Sequence, residues 1–216
     1  LLALHPIPPA DIAAISFSGQ MMGCLIVDDY GDPLGNALIW ADTRAKAEEQ
    51  FMCSRVALAR GYRITGHRMS ASYSAAKLLW IKRHQPERFA RAHKLLNAKD
   101  YMLYRMTGRF ITDYSDASST NLFDLKGKRW SQELLEAFEL SPSLLPEAVP
   151  STTVAGALLP EAAAAMGLIA GIPVVAGGGD GSCACVGAGG VREGDAYCVL
   201  GSSSWISSVS RKPLFD

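Results

Sequence analysis

Between Val174 and Ser182 a short apolar segment ends at three consecutive glycines followed by an aspartate. A β-branched run bounded by glycine favours the end of a buried strand. The small residues from Ser182 to Ala188 predict a closely packed helix after it. Glycines at a strand end allow a phosphate or a sugar to approach the main chain. The run therefore predicts Asp180 as an active-site carboxylate, although a Gly-rich strand-to-helix turn with an aspartate cap would look the same.

Composition narrows the classes of partner. The chain has 216 residues, 49% of them hydrophobic, with 21 Lys and Arg against 21 Asp and Glu. This balance gives no electrostatic footprint for nucleic acid or for an anionic membrane, and it favours a small ligand of low charge.

The odd number of cysteines and the lack of a paired CxxC pattern predict reduced core thiols and no metal site. With no long apolar span and no leader, a cytoplasmic protein without a membrane partner is expected.

The first part of the chain alternates strands with a helix. Strands are predicted at Ile12–Ser18, ending at Gly19, at Cys24–Val27, at residues 36–40 pairing with it, and later at residues 172–176. A long helix is predicted from Asp42 to about Arg60, with Glu48 and Glu49 on its solvent side. Residues 194–209 predict a pair of strands around Gly201.

The middle of the chain is rich in helices. Helical spacing is found at residues 74–83, 86–92, 100–106, 115–121, 131–138 and 160–166. Helices gathered in one block favour an inserted helix-rich region within an α/β fold over a plain doubly wound sheet. A domain boundary is predicted at Val191–Asp195.

Two segments carry candidate chemistry. Gln20, Met21 and Met22 follow a predicted strand end, where open α/β sheets bind ligands. An amide beside two thioethers suits a small polyhydroxylated ligand, and equally describes a turn with core methionines. Further along, Lys77 and His84 share one side of a predicted helix with Trp80, which by itself indicates an amphipathic helix with a basic end.

Taken together, these segments form a recognisable series. In order they are Ser18-Gly-Gln-Met, Trp40-Ala-Asp-Thr-Arg44, Ser72 to His84, and Gly177-Gly-Gly-Asp180 with Leu200-Gly-Ser-Ser203. Asn97-Ala-Lys-Asp100-Tyr, Thr107-Gly108 and residues 112–118 add to it. On these blocks the chain resembles the FGGY carbohydrate kinases, and within them the xylulokinase-like branch.

The resemblance implies an α/β, actin-like ATPase (ribonuclease H-like) fold, present as a partial chain with a helix-rich inserted region. It implies ATP and Mg²⁺ as cofactors, a sugar or polyol as substrate, and a homodimer. Residues 1–192 would be the sugar-binding domain without its first strands and phosphate loop, and residues 193–216 the start of the nucleotide-binding domain. The chain alone is therefore predicted to be inactive.

Site roles carried over from the family follow position by position. They make Asp180 the catalytic base, assign no metal ligand, and give the sugar contacts to Gln20, Met21, Met22 and Ser72 and the ATP phosphates to Gly201, Ser202 and Ser203. Asp42 and Arg44 are expected to form a structural ion pair and helix cap.

Two departures leave the substrate open. Xylulokinases carry His where this chain has Met22, and the family usually has Asn or Gln where it has Gly181. Both changes remove groups that would bond sugar hydroxyls. A pentulose such as xylulose is expected, with another polyol, an aldonate or a catalytically silent sugar-binding or regulatory relative as alternatives. A filament-forming actin-like protein is disfavoured because it has no use for the Gln20 and Met21 pocket.

Overall fold

The computed structural model describes residue 4 and residues 7–200 and 204–214. The described helices are α1 (Lys46–Arg55), α2 (Leu58–Thr65), α3 (Ser74–His84), α4 (Pro86–Ala90), α5 (Ala98–Thr107), α6 (Tyr114–Ser118), α7 (Gln132–Ala137), α8 (Pro160–Met166) and α9 (Asp180–Gly187). The described strands are β1 (Ser18–Gly19), β2 (Leu25–Val27), β3 (Lys94–Leu96), β4 (Ile111–Asp113), β5 (Phe123–Asp124), β6 (Arg129–Trp130), β7 (Glu147–Val149), β8 (Val154–Ala157), β9 (Pro173–Val175), β10 (Gly178–Gly179), β11 (Ala196–Leu200) and β12 (Ser204–Ser208).

The strand that leads to Asp180 lies beside the first strand of the chain. β1 and β10 are parallel, with Gly19 opposite Gly179, and a parallel bridge extends this pairing to Ile15 and Val174. β9 also pairs with β8 in the antiparallel direction. Because parallel strands end at the same edge, the turn after β1 and the helix after β10 start from adjacent points.

Apolar side chains pack into two main cores. The core of the helix-rich region includes Met52 from α1 and Leu78 and Ile81 from α3, all fully buried. The other core joins α5 to the strands through buried residues that include Leu103 and Val174. Burial of each such side chain contributes about 1.5–3 kcal/mol. Across the described residues, no helix combines the length and the apolar character needed to cross a bilayer.

Most predicted elements are confirmed. α3, α5, α7 and α8 lie where helical spacing placed them, and β11 pairs with β12 as a hairpin. Leu38 forms an antiparallel bridge with Cys24, as expected for residues 36–40. All five cysteines are free. The expectation that they lie in the core is correct for Cys24, which is buried, and wrong for Cys198, which is exposed.

The prediction of one long helix from Asp42 to Arg60 is wrong. The chain is extended at Val56 and separates α1 from α2. Val56 is buried in the core of the helix-rich region, and this packing overrides the helical preference of the segment. The Asp42–Arg44 ion pair is present at 2.8 Å. The cap is not, because α1 begins at Lys46 without a side-chain cap.

Glu48 does not face solvent. Only 1% of Glu48 is exposed, because α1 packs against α3 and brings its Oε1 to 3.2 Å from Nη1 of Arg83. Glu49 is half-buried, and its Oε2 accepts a hydrogen bond of 2.7 Å from the backbone N–H of Ala71. The solvent-side prediction is therefore wrong for Glu48.

The glycines before Asp180 accommodate the protein's own atoms rather than a ligand. Gly177 has φ of +71°, and a Cβ there would lie 2.3 Å from the carbonyl oxygen of Phe17. A Cβ on Gly179 would lie 2.6 Å from the side chain of Met21. Both glycines are buried. The prediction that a ligand approaches the main chain here is therefore wrong at Gly177 and Gly179. At both positions glycine instead lets the two strand ends pack closely.

Candidate active site

A cavity of about 470 Å³ opens where β1 and β10 end. Separate parts of the chain supply thioethers, aromatic rings, two hydroxyls and one carboxylate to its walls, from Met21, Met22, Trp40, Asp180, Gly181, Tyr197, Trp205 and Ser207. Among these lining residues Asp180 carries the only charged side chain. Aromatic rings and thioethers pack against the C–H faces of a small polyhydroxylated molecule, and a carboxylate accepts a proton or hydrogen bond from a hydroxyl.

Asp180 is the first residue of α9, and its side chain is exposed to the cavity. Its Oδ1 accepts a hydrogen bond of 2.8 Å from the backbone N–H of Gly181. No other described residue hydrogen-bonds to this carboxylate. Among the described residues it is therefore bonded at one oxygen only.

Met22 also lines the cavity, and its backbone adopts a conformation that residues other than glycine rarely adopt. Its φ of 61° lies in the left-handed region, which costs free energy for a non-glycine residue. Two contacts hold it there. The N–H donates to Oγ of Ser119 at 3.1 Å, and the carbonyl accepts from Nζ of Lys77 at 2.8 Å. The position of this cavity wall is thus fixed through the two peptide groups that flank Met22.

Lys77 is a buried cation that bonds to backbone. Its Nζ also donates to the carbonyl of Ser72 at 2.6 Å, and none of the residue is exposed. Burial lowers the pKa of Lys77 to about 8. The amphipathic face expected for α3 is therefore wrong at this residue. Beside it, Trp80 and His84 stack with ring centroids 5.0 Å apart.

We expect the stability of the protein to depend on pH through Lys77. The folded pKa of about 8 lies below the ordinary 10.5, so between these values the unfolded chain binds more protons. The free energy of unfolding should therefore rise with pH, by about 2 kcal/mol from pH 7.5 to 9.5 relative to a variant without the amine. Urea unfolding of the wild type and Lys77→Met at both pH values measures this. The exposed Lys46→Met is the matched control, and equal pH dependence in wild type and Lys77→Met would contradict it.

A second buried lysine lies under the strand ends. Nζ of Lys99 lies 2.9 Å from Oδ1 of Asp100, 3.2 Å from Oδ1 of Asp113 and 3.3 Å from Oδ2 of Asp116. All four side chains are at most 1% exposed. Burial raises the pKa of Asp100, and burial together with the Asp100 charge raises that of Asp116 well above its usual range. Burial opposes the charge of Lys99, yet the three carboxylates raise its pKa above the ordinary value.

The hairpin of β11 and β12 covers one side of the cavity. The hydroxyl of Tyr197 donates to the carbonyl of Gly181 at 3.0 Å and accepts from Nε1 of Trp205 at 3.2 Å. Tyr197 lies opposite Ser207 in the hairpin, and Val199 lies opposite Trp205. The hairpin is thus bonded directly to the residue that follows Asp180.

The structure brings together Met21, Met22 and Asp180, three of the residues predicted from the sequence. Gln20 and Ser72 are not among the described residues that line the cavity; Ser72 takes part through its carbonyl bond to Lys77. Gly201, Ser202 and Ser203 lie outside the described residues.

Sequence reasoning missed four lining residues. Trp40 lies in the Trp40–Arg44 block, of which only the charged residues were assigned roles. Tyr197, Trp205 and Ser207 lie on one face of the hairpin, where the alternation of the strands was a usable signal.

A larger cavity of about 570 Å³ lies elsewhere, lined by Arg60, Arg63, Ile64, Asp124, Lys126, Arg129, Trp130, Ser131, Gln132 and Glu133. Arg60 bonds to Glu133 through two nitrogens, and Arg129 lies 3.9 Å from Asp124. None of the residues predicted to carry chemistry lines it. The cavity at Asp180 is therefore the candidate active site.

The chain matches a known protein family over most of its length. The model of the FGGY family of carbohydrate kinases, N-terminal domain, matches residues 1–187. Xylulose kinase of Escherichia coli K12 is 40% identical over 200 residues, which cover 93% of this chain and 41% of that protein. The crystal structure of a xyloylose kinase from Brucella ovis has a TM-score of 0.84 at 34% identity, covering 95% of this chain and 42% of that one.

A relative with another named substrate is equally similar in fold. The gluconate kinase from Lactobacillus acidophilus has a TM-score of 0.88 at 30% identity, covering 94% of this chain and 42% of that one. The chain spans about two fifths of the length of the curated relatives it matches.

Proposed function

Because the chain belongs to the FGGY family of carbohydrate kinases, we propose that the protein transfers the γ-phosphoryl group of ATP to a hydroxyl group of a pentulose such as xylulose. The observation that carries this proposal is the position of Asp180, a carboxylate in the wall of a cavity otherwise lined by uncharged side chains. The xylulose kinases among its relatives support the choice of sugar.

Asp180 acts as the catalytic base in this proposal. Its carboxylate accepts a hydrogen bond from the reacting hydroxyl, orients it towards the phosphorus, and takes its proton as the new P–O bond forms and ADP leaves. Because phosphoryl transfer passes through a loose transition state, positioning and charge neutralisation supply most of the acceleration. Met21 and Met22 hold the sugar against this carboxylate, with Gln20 and Ser72 as further proposed contacts.

When bound, Mg-ATP would supply the phosphoryl group, and its Mg²⁺ would neutralise negative charge on the phosphates. Among the described residues, no group of three or more His, Cys, Asp or Glu side chains is arranged to hold a metal ion. The described residues therefore do not make a Mg²⁺ site by themselves. We assign the phosphate contacts to Gly201, Ser202 and Ser203 on the family resemblance alone. The domain boundary at residue 192, the homodimer and the cytoplasmic location are likewise proposals.

The lining of the cavity favours a neutral sugar over an aldonate. A gluconate-like substrate would bring its carboxylate into a cavity whose described lining holds the Asp180 carboxylate and no Lys, Arg or His. Two like charges at short range without a countercharge oppose binding. The buried amine of Lys77, which contacts the backbone of Met22, bonds to two backbone carbonyls.

The experiment is ADP release by the full-length protein with Mg-ATP and D-xylulose, D-ribulose, glycerol, erythritol or gluconate. Mass spectrometry of the sugar product separates transfer from simple ATP hydrolysis. We expect kcat/KM to be highest for a ketopentose. A higher kcat/KM for gluconate would contradict the proposed pentulose substrate but would still support the proposed kinase activity.

Quenching of tryptophan fluorescence reports sugar binding separately, because Trp40 and Trp205 line the cavity. Sugar binding without any phosphorylated product would overturn the kinase proposal and favour a sugar-binding relative.

A further inference from the structure

One short segment contacts both walls of the cavity. Oγ of Ser115 in α6 accepts a hydrogen bond of 2.8 Å from the backbone N–H of Gly179, the residue before Asp180. Oγ of Ser119, one residue beyond α6, accepts from the N–H of Met22 at 3.1 Å. The two serines are four positions apart and thus on one face of the helical turn. Through them the loop of the carboxylate and the loop of the sugar pocket share one support.

The hydroxyl group of each serine is oriented by a hydrogen bond that it donates within or next to α6. A serine hydroxyl has one hydrogen to donate. Ser115 donates it to Oδ2 of Asp113 at 2.5 Å, and Ser119 donates it to the carbonyl of Asp116 at 2.7 Å. Because each hydrogen is already committed, an oxygen lone pair of each serine is free to accept the loop N–H. The serines therefore fix the positions of two peptide units.

The support beneath Ser115 is itself held firmly. Oδ2 of Asp113 also accepts from the N–H of Ser115 and from Oγ of Ser151, at 2.9 and 2.7 Å. Its Oδ1 faces Nζ of Lys99 at 3.2 Å, and none of the Asp113 side chain is exposed. A carboxylate with this many partners in a buried site has little freedom to move. Movement of Gly179 would disrupt contacts that extend into the core.

We propose that Ser115 and Ser119 are positioning residues that set the reach from Asp180 to the sugar, Ser115 through Gly179 and Ser119 through Met22. The proposal rests on the proposed function. It assigns the two serines different kinetic effects. Loss of the Ser115 hydroxyl displaces the base and lowers kcat, whereas loss of the Ser119 hydroxyl loosens the sugar pocket and raises KM.

The test compares Ser115→Ala, Ser119→Ala and the control Ser118→Ala in the full-length protein. Ser118 lies in the same helix, and within the described part of the chain its hydroxyl bonds only to the carbonyl of Ser115. A displacement near 1 Å at a reacting group costs about 10²-fold, so Ser115→Ala should lower kcat by about 10- to 100-fold with little change in KM. Loss of one hydrogen bond at the pocket should raise KM about 5- to 10-fold in Ser119→Ala. Ser118→Ala should change both values less than about twofold.

Amide hydrogen exchange measures the same contacts without catalysis. Exchange at Gly179 should be faster in Ser115→Ala than in Ser118→Ala, and exchange at Met22 faster in Ser119→Ala. Ser115→Thr, which keeps the hydroxyl, should restore kcat. If Ser115→Ala does not fold, a folded Ser115→Thr with kcat as low as that of Asp180→Asn would overturn the proposal.

The outcomes separate the two proposals. Suppose that the wild type phosphorylates sugar and that Ser115→Ala and Ser119→Ala have the same kcat and KM as Ser118→Ala. The positioning role would then be wrong, and the proposed kinase activity would stand. A wild type that phosphorylates none of the sugars overturns the kinase. The positioning role then stands or falls on the exchange at Gly179 and Met22 and on the sugar affinity of Ser119→Ala.

Discussion

The Asp180→Asn variant is expected to lose kcat by about 10²- to 10⁴-fold while binding sugar almost as tightly as the wild type. An amide has the shape of the carboxylate but cannot take up the proton of the attacking hydroxyl, and this range is typical for loss of a general base. Asparagine can still accept the N–H of Gly181, so the start of α9 should be retained. ADP release gives kcat, and fluorescence titration of the tryptophans in the cavity gives the sugar affinity.

Asp28→Asn is the matched control for this variant. Asp28 lies in an exposed turn, where its Oδ1 accepts from the backbone N–H groups of Tyr30 and Asp32, and it is not among the residues that line the cavity. It should keep the kcat of the wild type. If Asp180→Asn kept more than about a third of the wild-type kcat, the base would be another group. If it lost kcat and sugar affinity together, Asp180 would serve binding rather than proton transfer.

Local pattern predicted the α/β class and part of the site, and the family resemblance supplied the actin-like ATPase fold. The α/β, actin-like ATPase fold with its helix-rich inserted region is confirmed by the family match and by the similar solved structures. Met21, Met22 and Asp180 follow strand ends, and parallel pairing of β1 and β10 brings them to one cavity. Short segments could indicate this much because the ends of parallel strands meet at one edge of a sheet.

Residues whose role depends on distant neighbours were not predictable in the same way. Glu48 has the spacing of a solvent-facing residue on α1, and only the packing of α3 against it makes it a buried partner of Arg83. Ser115 and Ser119 look like ordinary helix-end serines. Their contacts with Gly179 and Met22 join parts of the chain 64 and 97 residues apart. No periodicity in the sequence encodes a contact of that separation, so only the tertiary structure supplies it.

The cluster around Lys99 depends even more on the tertiary structure. A lysine next to an aspartate is usual on a solvated helix face, yet α5 turns Lys99 and Asp100 inwards to meet Asp113 and Asp116. Close packing helps to fix this arrangement, since a Cβ on Gly19 would lie 2.7 Å from Cβ of Lys99. The strand β1, which leads to the cavity, thus packs directly on Lys99, and Lys99 neutralises Asp113, the carboxylate that holds Ser115. A substitution that removes the charge of Lys99 should therefore change both the free energy of unfolding and the geometry of the cavity.

Lys99→Met should destabilise the protein by about 3–5 kcal/mol, because it leaves buried carboxylates without their cation. The loss should depend on pH. The pKa values of Asp100 and Asp116 are already raised in the folded protein, and removal of Lys99 raises them further. Groups with raised folded pKa values favour folding at low pH, and that contribution is lost as pH rises through the folded pKa. The deficit relative to the wild type should therefore be smaller at pH 5 than at pH 8, as measured by urea unfolding.

Two further variants make the reason for the loss explicit. Lys46→Met removes an exposed lysine and should change stability by less than about 0.5 kcal/mol at either pH. Adding Asp116→Asn to Lys99→Met removes one of the uncompensated charges and should recover part of the loss at pH 8, with less recovery at pH 5, where that carboxyl is more readily protonated. A deficit independent of pH and unchanged by Asp116→Asn would mean that the packing of the lysine stem, rather than its charge, holds these strand ends together.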